Sequence, residues 1–256
     1  MSDRFCRYPR SWRWLAVIVG LTVAVQGLTA RSEPRVVAVV ASDGFSDLRK
    51  QITWAGSQAG NPAAAILLES LITGATGGRG LDGLDPRRPL ALVIMADGDQ
   101  IAASGFVPVK SADSLLKSLE NVLGPAQRQG PLWELPGAPL GGMTVREAEG
   151  WAIVRPSSMP ASEATTPGEV VENLVDRHTL AVKVFPSRMP PNMLAALGEM
   201  VRQAASRQTG GQPVDPGQIV QGIENLRQTE SITLGLAIDI EQGRVLLENQ
   251  VVAVDG

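Results

Sequence analysis

Residues Leu90–Lys110 are two apolar runs, LALVIMA and QIAASGFVPV, separated by Asp97-Gly98-Asp99. Glycine supplies the positive φ that a tight reversal needs, so the pair is expected to form an antiparallel hairpin. A second hairpin is expected near the end of the sequence: SITLGLAID, the turn Glu241-Gln242-Gly243, then RVLLENQVVAV. Two such hairpins commit much of the chain to antiparallel sheet, and the helices must then pack on it.

The helices are legible from their start signals. Val36–Ala41 (VVAVVA) is a β-branched run that reads as a buried strand. Ser42 and Asp43 offer caps for a helix carrying Phe45, Leu48, Ile52 and Ala55 on one face. Asn61-Pro62 starts a second helix, with Ile66, Leu67, Leu71 and Ile72, which ends at Gly74 or just beyond. Gly77–Pro89 is a loop of turn residues. Ser111 caps a helix with Leu115, Leu116, Leu119, Val122 and Leu123 in helical spacing, stopped by Gly124-Pro125. Short strands are expected at Leu132–Leu135, Met143–Glu147 and Trp151–Arg155, and a surface loop from Pro156 to Gly168.

Strand, two helices and a hairpin then recur. Leu180–Phe185 reads as the strand, and Met193, Leu194, Leu197 and Val201 mark the first helix. After a linker at Gly210–Val214, Asp215-Pro216 opens the second helix, with Ile219, Val220, Ile223 and Leu226. The hairpins align without gaps at an offset of about 144: Leu90 with Leu234, Leu92 with Leu236, Ile94 with Ile238, Ile101 with Val245 and Val107 with Val251. The expected organisation is therefore α+β, an antiparallel sheet of hairpins with amphipathic helices on one face. A first unit at 31–165 and a shorter second unit at 166–256 share one globule. The second β-α-α-β-β unit lacks counterparts of the Ser111–Leu123 helix and of the strands that follow it.

Residues 1–30 read as an address. Arg4, Arg7, Arg10 and Arg13 precede the uncharged stretch WLAVIVGLTVAVQGLTA, Trp14 to Ala30. A basic start, an apolar core and small residues at its end make a secretory signal peptide. The 17-residue run is at the short limit for a span, which leaves an uncleaved inner-membrane anchor at 14–30 as the alternative. Cleavage after Ala30 removes four arginines and one aspartate, taking the net charge from −3 to −6, and removes the single cysteine, Cys6. The expected location is periplasmic or secreted, with membrane contact only through an uncleaved N-terminus.

Composition excludes several function classes. A net acidic chain is a poor electrostatic match for nucleic acid. One cysteine rules out a disulfide framework, and one histidine rules out any site needing two imidazoles. Gly78-Arg79-Gly80-Leu81-Asp82-Gly83 matches the dinucleotide pattern GxGxxG, yet it leaves a helix and runs into Asp85-Pro86, where a strand-to-helix turn is required. Ser114-Leu115-Leu116-Lys117 matches SxxK without its partner motifs. His178 lies between Arg177 and Thr179 at the start of a strand, with no nucleophile elbow elsewhere. Turn aspartates Asp82, Asp85, Asp97 and Asp99 bond their own backbone more readily than they gather on a cation. Trp54, Trp133 and Trp151 suit the core better than a sugar platform, with exposure the alternative for Trp133 because it lies among turn residues. No catalytic residue, cofactor or metal is assigned. The candidate surface site is an anion nest in the glycine-rich loop, with Arg79, Asp82, Asp85, Arg87 and Arg88.

Taken in order, several segments resemble a family of exported proteins of planctomycete-type bacteria. They are Gly77-Gly78-Arg79-Gly80-Leu81-Asp82-Gly83-Leu84-Asp85 leading to Arg88-Pro89, the Asp97-Gly98 turn, Gly105-Phe106-Val107-Pro108-Val109, Gly150-Trp151-Ala152, and Leu234-Gly235-Leu236-Ala237-Ile238-Asp239. That family carries no assigned activity, so the resemblance implies export and this general architecture and no site residue. Its members continue past the last hairpin, so the shorter second unit is expected to be either one half of an asymmetric pair or the short form of something longer. The function expected is a non-catalytic binding or scaffolding protein of the cell envelope, its partner an unspecified envelope component or ligand. A secreted hydrolase working through acidic residues is the alternative.

Overall fold

The computed structural model describes residues 35–61, 63–138, 142–158, 171, 174–208 and 216–254. The leader at 1–30, Pro62, most of the 156–168 loop, the 210–214 linker and Asp215 lie outside the described residues. The chain runs β1 (Arg35–Ser42), α1 (Phe45–Gln58), α2 (Ala63–Thr76), β2 (Leu90–Asp97), β3 (Gln100–Pro108), α3 (Ala112–Ser118) and α4 (Glu120–Leu123). Next come β4 (Gln127–Gln129), β5 (Leu132–Leu135), β6 (Met143–Ala148), β7 (Trp151–Pro156) and β8 (Leu180–Val184). A 3₁₀ turn at Pro186–Arg188 leads to α5 (Pro191–Gln208), α6 (Pro216–Arg227), β9 (Thr229–Asp239) and β10 (Arg244–Ala253).

The described strands form one antiparallel sheet of ten, in the order β10-β9-β8-β1-β2-β3-β7-β6-β5-β4. Both expected hairpins are present. The first turns in two residues, Asp97 pairing with Gln100 around Gly98 at φ 58°. The second turns in four, Asp239 pairing with Arg244, and the Gln242 N–H donates to Asp239 Oδ1 at 3.0 Å. The gap-free alignment at 144 therefore fails at the turn. Asp97 and Asp239 are 142 apart, Gln100 and Arg244 are 144 apart, and the added two residues lie in the second loop.

Two apolar cores lie on opposite faces of the sheet. On one, Val39, Ala41, Val93, Phe106, Ile153 and Ala181 meet Val171, Leu174 and Phe185. On the other, Val145, Ala152 and Leu135 pack under Ala112, Leu115 and Leu116 of α3. Adjacent residues of β7 thus enter different cores, as side chains alternate along a strand. This corrects the expectation of helices on a single face, because Val171 and Leu174, in helical conformation, cover the opposite one. The reason is that β3 and β7 are apolar at successive positions and require cover on both sides. Trp133 is buried in the second core, the first of the two placements its position among turn residues left open; Arg128 lies over its ring at 5.2 Å.

Ser111 caps α3 as expected, its hydroxyl accepting from the Ser114 N–H at 3.2 Å. The start of α1 differs. Its N-cap is Gly44, without a side-chain cap, because the Ser46 N–H donates to the Pro86 carbonyl at 2.8 Å. Gly44 lies so close to the Pro86–Arg87 backbone that a Cβ there would approach Arg87 C and O to 2.6 Å. α2 runs to Thr76 and keeps Ile66, Leu67 and Leu71 exposed; Arg49 of α1 pairs with Glu69 of α2. Among the described residues no helix is long and apolar enough to cross a membrane.

Candidate functional site

The residues singled out in the glycine-rich loop each hold the fold together, at separate points. The Arg79 guanidinium donates to the Lys117 carbonyl at 3.1 Å. The Asp82 carbonyl faces the Ser118 hydroxyl at 3.5 Å. The Asp85 carboxylate accepts the Arg87 N–H at 3.2 Å, an Asx turn. Arg87 presents its backbone to Gly44, and its neighbour Arg88 turns inward. The Arg88 guanidinium donates to the Gly150 carbonyl at 3.0 Å and lies 4.5 Å over the Trp151 ring. Arg79 and Asp82 thus tie the loop between α2 and β2 to α3, and Arg88 ties it to β7.

The other motifs are equally structural. Gly78, Gly80 and Gly83 follow α2 and precede β2, and Leu84 forms a single bridge with Val109. The Gly83 carbonyl accepts the Lys110 N–H at 2.7 Å and the Ser111 N–H at 3.2 Å, which ties the glycine-rich loop to the start of α3. Lys117 of the SxxK match pairs with Asp113 at 2.8 Å, which holds the Asp113 carboxyl below the usual range. Among the described residues no three His, Cys, Asp or Glu side chains are placed to share a metal ion.

What sequence reasoning missed is the sheet region β8-β9-β10. On the face shared with the Val39 core lies a cavity of about 670 Å³ lined by His178, Lys183, Phe185, Arg188, Glu230, Thr233 and Glu248 among others. Its origin lies in the pairing register. Ala41 pairs with Ala91 and Val39 with Val93 in the first half, filling this face with aliphatic side chains. Lys183 pairs with Thr233 and Ala181 with Gly235 in the second, leaving polar groups and a glycine without a side chain in the same places.

His178 occupies the space above Gly235. A Cβ on Gly235 would overlap Cδ2 and Nε2 of the imidazole. Ring Nδ1 lies 3.0 Å from the Leu174 carbonyl oxygen and Nε2 lies 3.2 Å from Glu248 Oε2. Both partners are acceptors, so the two bonds coexist only while both ring nitrogens carry hydrogen. Beside the imidazole, Arg188 lies 4.3 Å and Lys183 5.4 Å from the centre of the Phe185 ring. The cavity therefore presents fixed charges of both signs around a braced imidazole, an arrangement suited to holding a polar group.

The opposite face of the same three strands is apolar. Leu180, Leu236 and Leu247 lie in one row across it, with Val182 and Leu234 beside them around a shallow cavity of about 470 Å³. Leu247 is 83% exposed, Val251 60% and Leu234 53%. All ten residues of β10 are exposed, and its outer edge has no strand beside it among the described residues. No protein-family model matches the chain, no curated protein matches it, and no solved structure matches it.

Proposed function

We propose that this is an exported protein of the cell envelope that binds or scaffolds without covalent chemistry, using the β8-β9-β10 region as its contact surface. The observation that carries the contact surface is the exposed aliphatic patch of Leu234, Leu247 and Val251 beside the ten-residue outer edge of β10, which no other described strand covers. Contiguous apolar surface of this kind marks contact sites on folded proteins. Export is supported by the four arginines ahead of the uncharged 14–30 stretch. N-terminal sequencing of the protein recovered from the envelope or medium should begin near Arg31. Intact Met1 on a cytosolic protein overturns the export reading.

The two β-α-α-β-β units are, on this reading, copies of one ancestral element. Their strand orders agree, β1-β2-β3 and β8-β9-β10. An offset of 142 carries the Val39–Val93 and Ala41–Ala91 pairs onto Ala181–Gly235 and Lys183–Thr233. At that offset Val40 and Val182 are equivalent, and they are also partners across the β1–β8 junction. Superposing 35–97 on 177–239 tests this, and a mismatch of the helices would end it.

A secreted hydrolase working through carboxylates is the second reading. It is favoured by Glu230 and Glu248 opening into the same cavity as His178. Turnover of any envelope polymer that is lost in Glu248→Gln, with the fold intact, would establish it over the scaffold.

A further inference from the structure

Resting on the reading of β8-β9-β10 as a contact surface, we infer that its occupant is a second copy of this chain. The two β10 strands pair antiparallel about a two-fold axis that passes through Asn249. β10 exposes Val245, Leu247 and Val251 on one face and Leu246 and Val252 on the other. A ligand lying on one face leaves the other wet; a strand at the edge shelters both and takes up the free N–H and C=O row. The equivalent strand of the first half, β3, is covered in this way by β7, Gly105–Pro108 pairing with Val154–Trp151.

Among the described residues the sheet has two edges, β10 and β4. β4 is three exposed polar residues, Gln127, Arg128 and Gln129, too short and too polar to cover a ten-residue apolar strand. Pairing β10 with β10 is isologous and closes at a dimer, whereas a β10–β4 contact would propagate.

Side chains select the register. A two-fold axis normal to the sheet keeps each face on its own side, so opposed residues must share parity and the axis must pass through a residue. Centred on Glu248, two carboxylates face each other. Centred on Leu247, Leu246 meets Glu248 and Val245 meets Asn249. Centred on Asn249, Val245 meets Ala253, Leu246 meets Val252, Leu247 meets Val251 and Glu248 meets Gln250. Apolar residues then oppose apolar ones on both faces, no like charges meet, and the full strand is used.

The test is sedimentation equilibrium of the full chain carrying Cys6→Ser, with charge variants across the proposed pair. The parent should be dimeric. Val251→Lys and Leu247→Glu should each weaken dimerisation at least about tenfold, since the axis places every change at the interface twice. The double variant should recover it, because the lysine introduced in one copy then faces the glutamate introduced in the other. Asn249→Cys should form a covalent dimer on oxidation and Glu248→Cys should not. Circular dichroism and urea midpoints close to the parent's will show that each variant folds. A parent that stays monomeric, or a dimer indifferent to these changes, overturns the proposal. A monomer that still binds lipid vesicles or another envelope protein, and loses that binding in Leu247→Glu, leaves the contact-surface reading standing while the second copy fails. A monomer that binds neither removes both.

Discussion

His178 stands directly over Gly235, its ring in the space a β-carbon would take, and spans from the Leu174 carbonyl to the Glu248 carboxylate. Gly235→Ala must displace the ring or the strand beneath it. We expect a loss of about 1–3 kcal/mol in urea unfolding, the usual cost of overpacking. Combined with His178→Ala the loss should shrink, by more than about 0.5 kcal/mol relative to the sum of the two single variants. Strict additivity would mean that the ring is not what excludes a side chain there.

Gly83 has φ +88° and lies against the start of α3, where a Cβ would overlap the Ser111 carbonyl oxygen and come within 2.5 Å of the Leu115 nitrogen. Both the backbone conformation and the close approach demand glycine. Gly83→Ala should therefore cost more than a strained backbone alone, about 2 kcal/mol or more. A thermal midpoint equal to the parent's would show that the loop does not anchor the helix.

Ser111 satisfies the Ser114 N–H at the start of α3 with its side chain. Ser111→Ala should lower stability by about 1 kcal/mol, and Ser111→Asp should restore it. Equal urea midpoints for parent and alanine variant would contradict the cap.

Burial pushes the Asp43 carboxyl above its ordinary value; the bond from Gln51 Nε2, at 3.1 Å, opposes this and the charge of Asp47 adds to it. The folded state thus holds this proton more tightly than the unfolded chain does. Its contribution to stability is present below the unfolded pKa and is lost as pH rises through the folded one. Asp43→Asn keeps an acceptor for Gln51 and should remove this decline. The parent-minus-variant stability difference should turn more negative between the acid side and the neutral side of the carboxylate range. A difference that is constant with pH, or that grows more positive, would refute the assignment.

What the residues alone determined was local. Asp97-Gly98, the alternation on either side of it, and the Ser111 cap act within a few positions, so both hairpins and α3 follow from the chain. The arginines and aspartates of the 79–88 loop were visible too, but as charges; that Arg88 ends over Trp151, 63 residues away, depends on β3 and β7 pairing first. Only the tertiary structure decided the strand order, the two-sided core, the meeting of His178 with Glu248 and the place of β10 at the edge of the described sheet. Periodicity and turn chemistry report which face of an element is apolar. They carry no information on which other element will cover it, because that choice is made by non-local burial, settled among all the faces at once.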